Sequence, residues 1–452
     1  MRHLYRAAIL MALASATWAA TPEAVEPPPN APATVEWNAQ AGRLSLRYHG
    51  GVILEATVGA EDASGRAAAG VEVKLEPTVT PGEKVEIANQ TETATVRIVP
   101  SATKTVEWSM TFEKEQAGGA GSAGAAPDWQ MGPFVKLPQP VLSPTPDSRF
   151  QCPVRGKEVR WEEQNVYNPA AVVRDGKVYL LYRADDKSPD LKWGRTCRIG
   201  LACSEDGIHF TRRPTPVLYP DNDEWKPYEW EGGCEDLHIV EGEDGVYYMN
   251  YTTWNGKGDT MSVATSRDLV HWTKHGPAFR KAAPDKVPGS RTGVVVSRRE
   301  GDRLIAARIN GKYWMYYTHP CALAWSENLI DWTPAGKAVW PGGGREAGAI
   351  ALLCDDGVLL MTQGGHHSLG AWVLRQALID RNDLKTVLKE PKEPFLWPQY
   401  EWEKKGMTGD TTVANGLIPF KGSWMLYYGA ADRAIGLATF TPKAGLPFSR
   451  AK

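Results

Sequence analysis

"LHIVEGEDGVYYMNYT", residues 237–252, alternates apolar and polar residues, turns at Glu243-Asp244-Gly245 and returns through a run rich in tyrosine. That is the pattern of two short antiparallel strands joined by a tight turn. The unit recurs along the chain as "AAVVRDGKVYLLYR" (170–183), "LIAARINGKYWMYYT" (304–318), "AIALLCDDGVLLMTQ" (349–363) and "GLIPFKGSWMLYYG" (416–429). A second unit follows each of the first four: "IGLACSEDGIHF", "MSVATSRDLVHW", "CALAWSENLIDW" and "VLRQALIDRNDL", with a shorter "AIGLATF" closing the series. Ser204, Ser266 and Ser326 fall at matching places, 62 and 60 residues apart. Five repeats of about 60 residues, each worth four short strands, predict a five-bladed β-propeller. One long β-sandwich with coincidental hairpins would not keep this order and spacing.

Upstream, residues 35–114 read as short alternating strands with turns at Gly or Pro, which predicts a small β-sandwich. The expected fold is therefore all-β, a five-bladed β-propeller (129–452) preceded by a small β-sandwich domain. A Gly/Ala/Ser-rich linker, 115–128, separates the two. Residues 21–34 are proline-rich and expected to be disordered. Residues 1–20 have Arg2 and Arg6, an apolar stretch and small residues, the pattern of a cleaved secretory signal, so a periplasmic or extracellular protein is expected. No later stretch is apolar enough to span a bilayer. The net charge of −2 gives no footprint for nucleic acid. The six cysteines contain no CxxC, so neither a zinc site nor another metal or cofactor is expected, whereas an even number permits disulfides.

In a propeller the first strand of each blade lines the central channel, so residues at its start converge although some 60 positions apart in sequence. These are Asn168, Glu235 with Asp236, Arg291, Arg345 with Glu346, and Asp410. Glycoside cleavage needs an acid on the leaving oxygen and a base or nucleophile on the other face of the sugar. Carboxylates in a half-dry channel beside arginines can have their pKa values driven apart to fill those roles. Sugars also stack on flat aromatic faces, and Trp225, Tyr228, Trp230, Trp254, Trp397, Tyr400 and Trp402 lie near the carboxylate segments. His366 and His367 follow the fourth hairpin and are placed to hydrogen-bond substrate.

The second domain resembles glycoside hydrolase family 130, the β-mannoside phosphorylases and β-mannosidases. The resemblance rests on "PVLSP" (140–144), "VYNPAAV" (166–172), "LLYRA" (180–184), "GCEDLHI" (233–239), "INGKYWMYY" (309–317), the Tyr400-Glu401 pair with Gly406, and "YYGAADRAIGLA" (427–438). It implies a five-bladed propeller, Asp236 as general acid, and Asn168, Arg183 and Asp432 as residues holding the sugar. The chain departs from the family pattern at Leu237-His238 after the Glu-Asp pair, at Arg308 where a lysine is usual, at Glu346 and at Asp410.

A phosphorylase needs a cationic pocket and no base, because phosphate is already a nucleophile. A hydrolase must deprotonate water. The added carboxylates, and the difficulty of recovering a sugar phosphate outside the cell, favour hydrolysis. An inverting hydrolase is expected, with Asp236 as acid, Glu346 as base and Asp410 as second candidate base, the acid and base carboxyls roughly 6.5–9.5 Å apart. Substrate contacts are expected from Asn168, Arg183, Glu235, Arg291, Arg308, Arg345, His366, Tyr400, Asp432 and Trp230. Two alternatives are a phosphorylase of the same family and a non-catalytic carbohydrate-binding propeller. An arabinanase-type hydrolase would place an Asp where this chain has Asn168. The partner in each case is an oligosaccharide or polysaccharide.

Overall fold

The computed structural model describes residues 129–442, apart from 319–320, 337–338 and 341–344, together with the backbone of seven strands between Ala33 and Thr111. The predicted signal segment, the linker and nearly all of the Pro-rich stretch lie outside the described residues. The chain divides into two compact units, 1–122 and 123–452. In the first, Ala33–Asn38, Arg43–Tyr48, Gly51–Thr57 and Glu72–Lys74 form one antiparallel sheet, and Lys84–Asn89, Thr93–Val99 and Val106–Thr111 form another.

The second unit is a five-bladed β-propeller. Its inner strands are Asn165–Arg174, Gly233–Glu241, Arg291–Glu300, Arg345–Cys354 and Thr412–Phe420. Each packs on the next and the fifth packs on the first, closing the ring. Three further antiparallel strands complete each blade. The outermost strand of blade five, Val135–Lys136, comes from the start of the domain and pairs with Ala434–Phe440 through Ala438–Lys136 and Thr439–Val135. The Lys136 ammonium sits 2.7 Å from the buried Glu403 carboxylate, which also accepts a hydrogen bond from the Tyr428 hydroxyl at 2.6 Å. Two chain ends far apart in sequence are thereby locked together.

Five apolar clusters fill the five gaps between blades. One gap, for example, is filled by Leu181, Ile199, Leu237, Met249 and Tyr251, and the closing one by Trp161, Leu180, Tyr182, Ile418, Tyr427 and Leu437. Because each blade is covered on both faces, its strands are buried almost continuously rather than alternately. The hairpin pairs Asp175-Gly176, Asn310-Gly311 and Lys421-Gly422 all adopt positive φ at both residues, the mirror-image turn whose twist matches the strands. The repeated serines also play one structural role. Ser204 Oγ accepts from the N–H of Asp206 and Gly207, Ser266 Oγ from Asp268 and Leu269, and Ser326 Oγ from Asn328 and Leu329.

Blade three differs from expectation. Its inner strand begins at Arg291 and pairs with Lys312–Thr318 through Val294–Tyr316, whereas Arg303–Ala306 and Arg308–Ile309 form an added excursion beside the far turn. The six cysteines are free thiols. Among the described residues no helix is long and apolar enough to cross a membrane.

Candidate active site

All five inner strands carry an irregularity, and in the first three it falls near the rim of the channel between Tyr167 and Ala170, between Glu235 and Leu237, and between Arg291 and Gly293. The extra residues, Asn168, Asp236 and Thr292, have φ of +45°, +26° and +34°. A bulge of this kind re-aims a side chain, and Asn and Asp tolerate the left-handed region better than most residues. Asn168 and Asp236 are thus turned out of the blade interfaces and meet each other, the Asn168 amide donating to Asp236 Oδ1 at 2.8 Å.

Around this pair the buried charges interlock. Arg183, on the second strand of blade one, donates through Nη1 to Asp236 at 3.0 Å and through Nη2 to Glu235 at 2.9 Å. Its guanidinium lies 4.6 Å from the Tyr167 ring centre. Arg291 from blade three donates to Asp236 Oδ2 at 2.6 Å, to Glu235 at 2.9 Å and to Asp259 at 3.1 Å. Two guanidiniums are therefore shared among three carboxylates. Burial pushes the Asp236 carboxyl upward, but Arg183 and Arg291 outweigh it and hold the group well below the usual carboxylate range.

Glu346, from the inner strand of blade four, behaves oppositely. Burial raises it to about 7, against the attraction of Arg291 and with further upward push from Asp236. The Gln363 amide lies 3.5 Å from its Oε2. Asp432 from blade five, at φ +49°, accepts the Thr408 hydroxyl at 2.6 Å, and burial raises its carboxyl as well. Asp185 closes the floor below Arg183. It accepts from Tyr167 and Asn165, and burial pushes it to about 6 despite Arg183 and Arg195.

The structure thus gathers Asn168, Arg183, Glu235, Asp236, Arg291, Glu346 and Asp432 from all five blades. Other expected residues fall elsewhere. Arg308 lies at the opposite end of blade three, donating to the carbonyls of Gly311 and Glu327, because the excursion carries it to the far turn. Arg345 starts at the correct rim, but its guanidinium turns outward to Glu390 beside the Trp340 ring. Asp410 is exposed and precedes its strand, and the blade-five irregularity falls between Ala414 and Gly416, at the buried Asn415. Tyr400 caps the short turn Glu401–Glu403 and stacks on Trp402 with ring centres 6.3 Å apart. Trp230 caps Lys226–Glu229. His366 ends the second strand of blade four with its Nδ1 buried and unpartnered.

Asp259, Asp185, Gln363 and Thr408 were not anticipated. None belongs to a repeated motif, and only the pairing of Asp259 with Trp254 across blade two brings its carboxylate to Arg291. Among the described residues no group of three or more His, Cys, Asp or Glu is arranged to hold a metal ion. The arrangement can hold sugar hydroxyls on fixed charges and set an ionised carboxylate against a carboxyl that titrates near neutrality.

The family model described as beta-1,4-mannooligosaccharide phosphorylase, glycoside hydrolase family 130, matches residues 139–444, and the chain belongs to that family. A curated relative, the 1,2-beta-oligomannan phosphorylase of Thermoanaerobacter sp. (strain X514), is 31% identical over 302 residues, covering 63% of this chain and 93% of the relative. A solved glycosyl hydrolase structure from Bacteroides ovatus is 38% identical with a TM-score of 0.67, covering 70% of this chain and 96% of that one. Another structure, described as "The GH130 family of mannoside phosphorylases contains glycoside hydrolases that target beta-1,2 mannosidic linkages in Candida mannan", is 37% identical with a TM-score of 0.67, covering 72% and 98%.

Proposed function

We propose that this chain is an exported enzyme that cleaves β-linked mannosides, β-1,2 linkages foremost, by a single inverting displacement with water as acceptor. The single observation that carries the choice of water is Glu346, a carboxyl with a pKa near 7 on the blade that faces Asp236 across Arg291. A general base works best with a pKa near the working pH. Arg183 and Arg291 are already committed to Glu235, Asp236 and Asp259, so the cationic charge a phosphate dianion requires is neutralised where it is densest. The linkage is suggested by the names of the relatives.

In the proposed step Glu346 takes a proton from water as the water oxygen bonds to the anomeric carbon. The glycosidic C–O bond breaks, and its oxygen receives the proton that Asp236 has taken up from solvent on substrate binding, directly or through a substrate hydroxyl that Asp236 reprotonates. Both Asp236 oxygens accept charged hydrogen bonds in the free protein. The donor role therefore requires substrate hydroxyls to take over part of the Arg291 contact. Asn168, Arg183 and Asp432 hold the sugar undergoing cleavage.

The second reading is phosphorolysis at the same centre, and it is favoured by the family description and by the Thermoanaerobacter relative. Names support phosphate, and the carboxylate layout supports water. Product analysis on β-1,2-mannobiose and β-1,4-mannobiose, with and without phosphate, separates them. Free mannose released at an equal rate without phosphate is the expected result. Mannose 1-phosphate formed only when phosphate is present would replace water as the acceptor.

A further inference from the structure

The loop between the second and third strands of blade one carries Trp193, which is 40% exposed, whereas Trp161, Trp332 and Trp424 are fully buried. The exposure does not come from a loose loop. The buried Asp186 carboxylate accepts from the Ser188 hydroxyl at 3.0 Å and from the Thr196 N–H at 2.8 Å. Inside the loop, Ser188 N–H donates to the Gly194 carbonyl at 2.7 Å, and Gly194 N–H donates to Leu191 at 3.0 Å. Arg155 ties Ser188 and Asp190 from outside.

Trp193 meets Trp254, half-buried at the end of the second strand of blade two, with ring centres 5.5 Å apart and planes at 69°. A Cβ on Gly232 would overlap the Trp254 indole, and one on Gly256 would come within 3.1 Å of Trp193 Nε1. The two indoles thus form an angular notch with fixed walls. The exposed Lys192 ammonium lies over the Trp193 ring, 4.8 Å from its centre, and brings N–H donors to that wall.

The notch is tied to the site through strand pairing. Trp254 pairs with Gly233 and with Asp259, the carboxylate that holds Arg291. Gly233 precedes Asp236 by three residues, about 10 Å along a strand at roughly 3.3 Å per residue. A chain bound at Asp236 and running along that strand would bring its next sugar units to these walls. Flat aromatic faces flanked by donors match the apolar C–H face and equatorial hydroxyls of a pyranose ring.

We propose that Trp193 and Trp254 form a stacking platform for a second or third sugar unit, so that the enzyme selects mannosyl chains over the disaccharide. This rests on the β-mannoside reading above but not on whether water or phosphate is the acceptor. The test compares Trp193→Ala and Trp193→Phe with the unaltered full chain on β-1,2-mannobiose and β-1,2-mannotetraose. Trp193→Ala should lower kcat/KM on the tetrasaccharide about tenfold and leave the disaccharide within about twofold, the range of one aromatic contact. Trp193→Phe should recover most of the loss. Equal losses on both substrates, or none on either, would overturn the platform. If the unaltered protein turns over neither sugar, the cleavage reading fails, and calorimetric titration with the tetrasaccharide decides the platform separately. Binding weakened about tenfold by Trp193→Ala sustains it. Unchanged affinity, or no binding by the unaltered chain, removes it.

Discussion

Glu346→Gln, measured across pH, tests the site most sharply. With its carboxyl near 7, Glu346 is about one-tenth ionised at pH 6, half at pH 7 and nine-tenths at pH 8. As general base it must be ionised. On an aryl mannoside whose leaving group needs no proton, so that only the base is read, hydrolysis by the unaltered protein should therefore rise about fivefold in kcat/KM from pH 6 to pH 7 and less than twofold from pH 7 to pH 8. Glu346→Gln should lose that limb and about two to four orders of magnitude of rate. Added azide, a nucleophile that needs no deprotonation, should restore turnover. A flat profile on that substrate, with the variant as active as the unaltered protein, would make Glu346 the proton donor and would refute the assignment. In that case the variant would lose only the cleavage of mannobiose, whose leaving group needs a proton.

The same substitution carries a stability signature of defined sign. The folded pKa of Glu346 is raised above its ordinary 4.5, so folding favours the neutral carboxyl. Its burial costs nothing below about pH 4 and progressively more up to about pH 7, reaching the order of 2–3 kcal/mol and staying there at higher pH. Glu346→Gln should match the unaltered protein in urea unfolding at pH 4 and exceed it at pH 8. A variant less stable at pH 8 would show that the carboxylate is stabilised by contacts rather than strained by burial.

Three further outcomes follow from the packing. Gly429 lies against Asn168, and a Cβ there would overlap the Asn168 side-chain oxygen, so Gly429→Ala should cut kcat on β-1,2-mannobiose at least tenfold while circular dichroism stays unchanged. Lys136→Met leaves the buried Glu403 carboxylate without its cation at the ring closure, and chemical denaturation should reveal a loss of about 3 kcal/mol. Ser266→Ala removes the acceptor for the N–H groups of Asp268 and Leu269 and should cost about 1 kcal/mol. Ser204→Ala, one blade away, should add to it independently in the double variant.

The repeat was legible because propeller blades are built from local hairpins, whose turn residues and alternation survive in any one stretch of chain. Asn168, Asp236 and Arg291 were legible for the same reason, since each sits at the start of a blade's first strand, whereas Arg183 came from the family resemblance. Arg308 was misplaced because it stands two residues before the Asn310-Gly311 turn, and a blade's hairpin turn lies at the end of the inner strand away from the rim. Asp410 was misplaced by counting from the strand start instead of from the bulge, which in blade five falls at Asn415. Asp259 and Asp185 left no local mark. Their importance comes from the guanidiniums that other strands bring to them, a tertiary relation that no spacing encodes.

Every blade contributes to the site. Blade one brings Asn168 and Arg183, blade two Glu235 and Asp236, blade three Arg291, blade four Glu346 and blade five Asp432. The two carboxyls proposed for chemistry therefore come from blades separated by one, and the intervening blade supplies the arginine between them. Arg291 donates to Asp236 and also opposes the upward push on Glu346. One guanidinium thus depresses the first carboxyl strongly and restrains the second. Any ligand hydroxyl or phosphate that draws Arg291 away from Asp236 must let both pKa values rise together. Raising Asp236 makes it a better donor, whereas raising Glu346 much above 7 makes it largely protonated at neutral pH and so unavailable as a base. On the proposed water reading, a substrate that engages Arg291 only partly satisfies both demands.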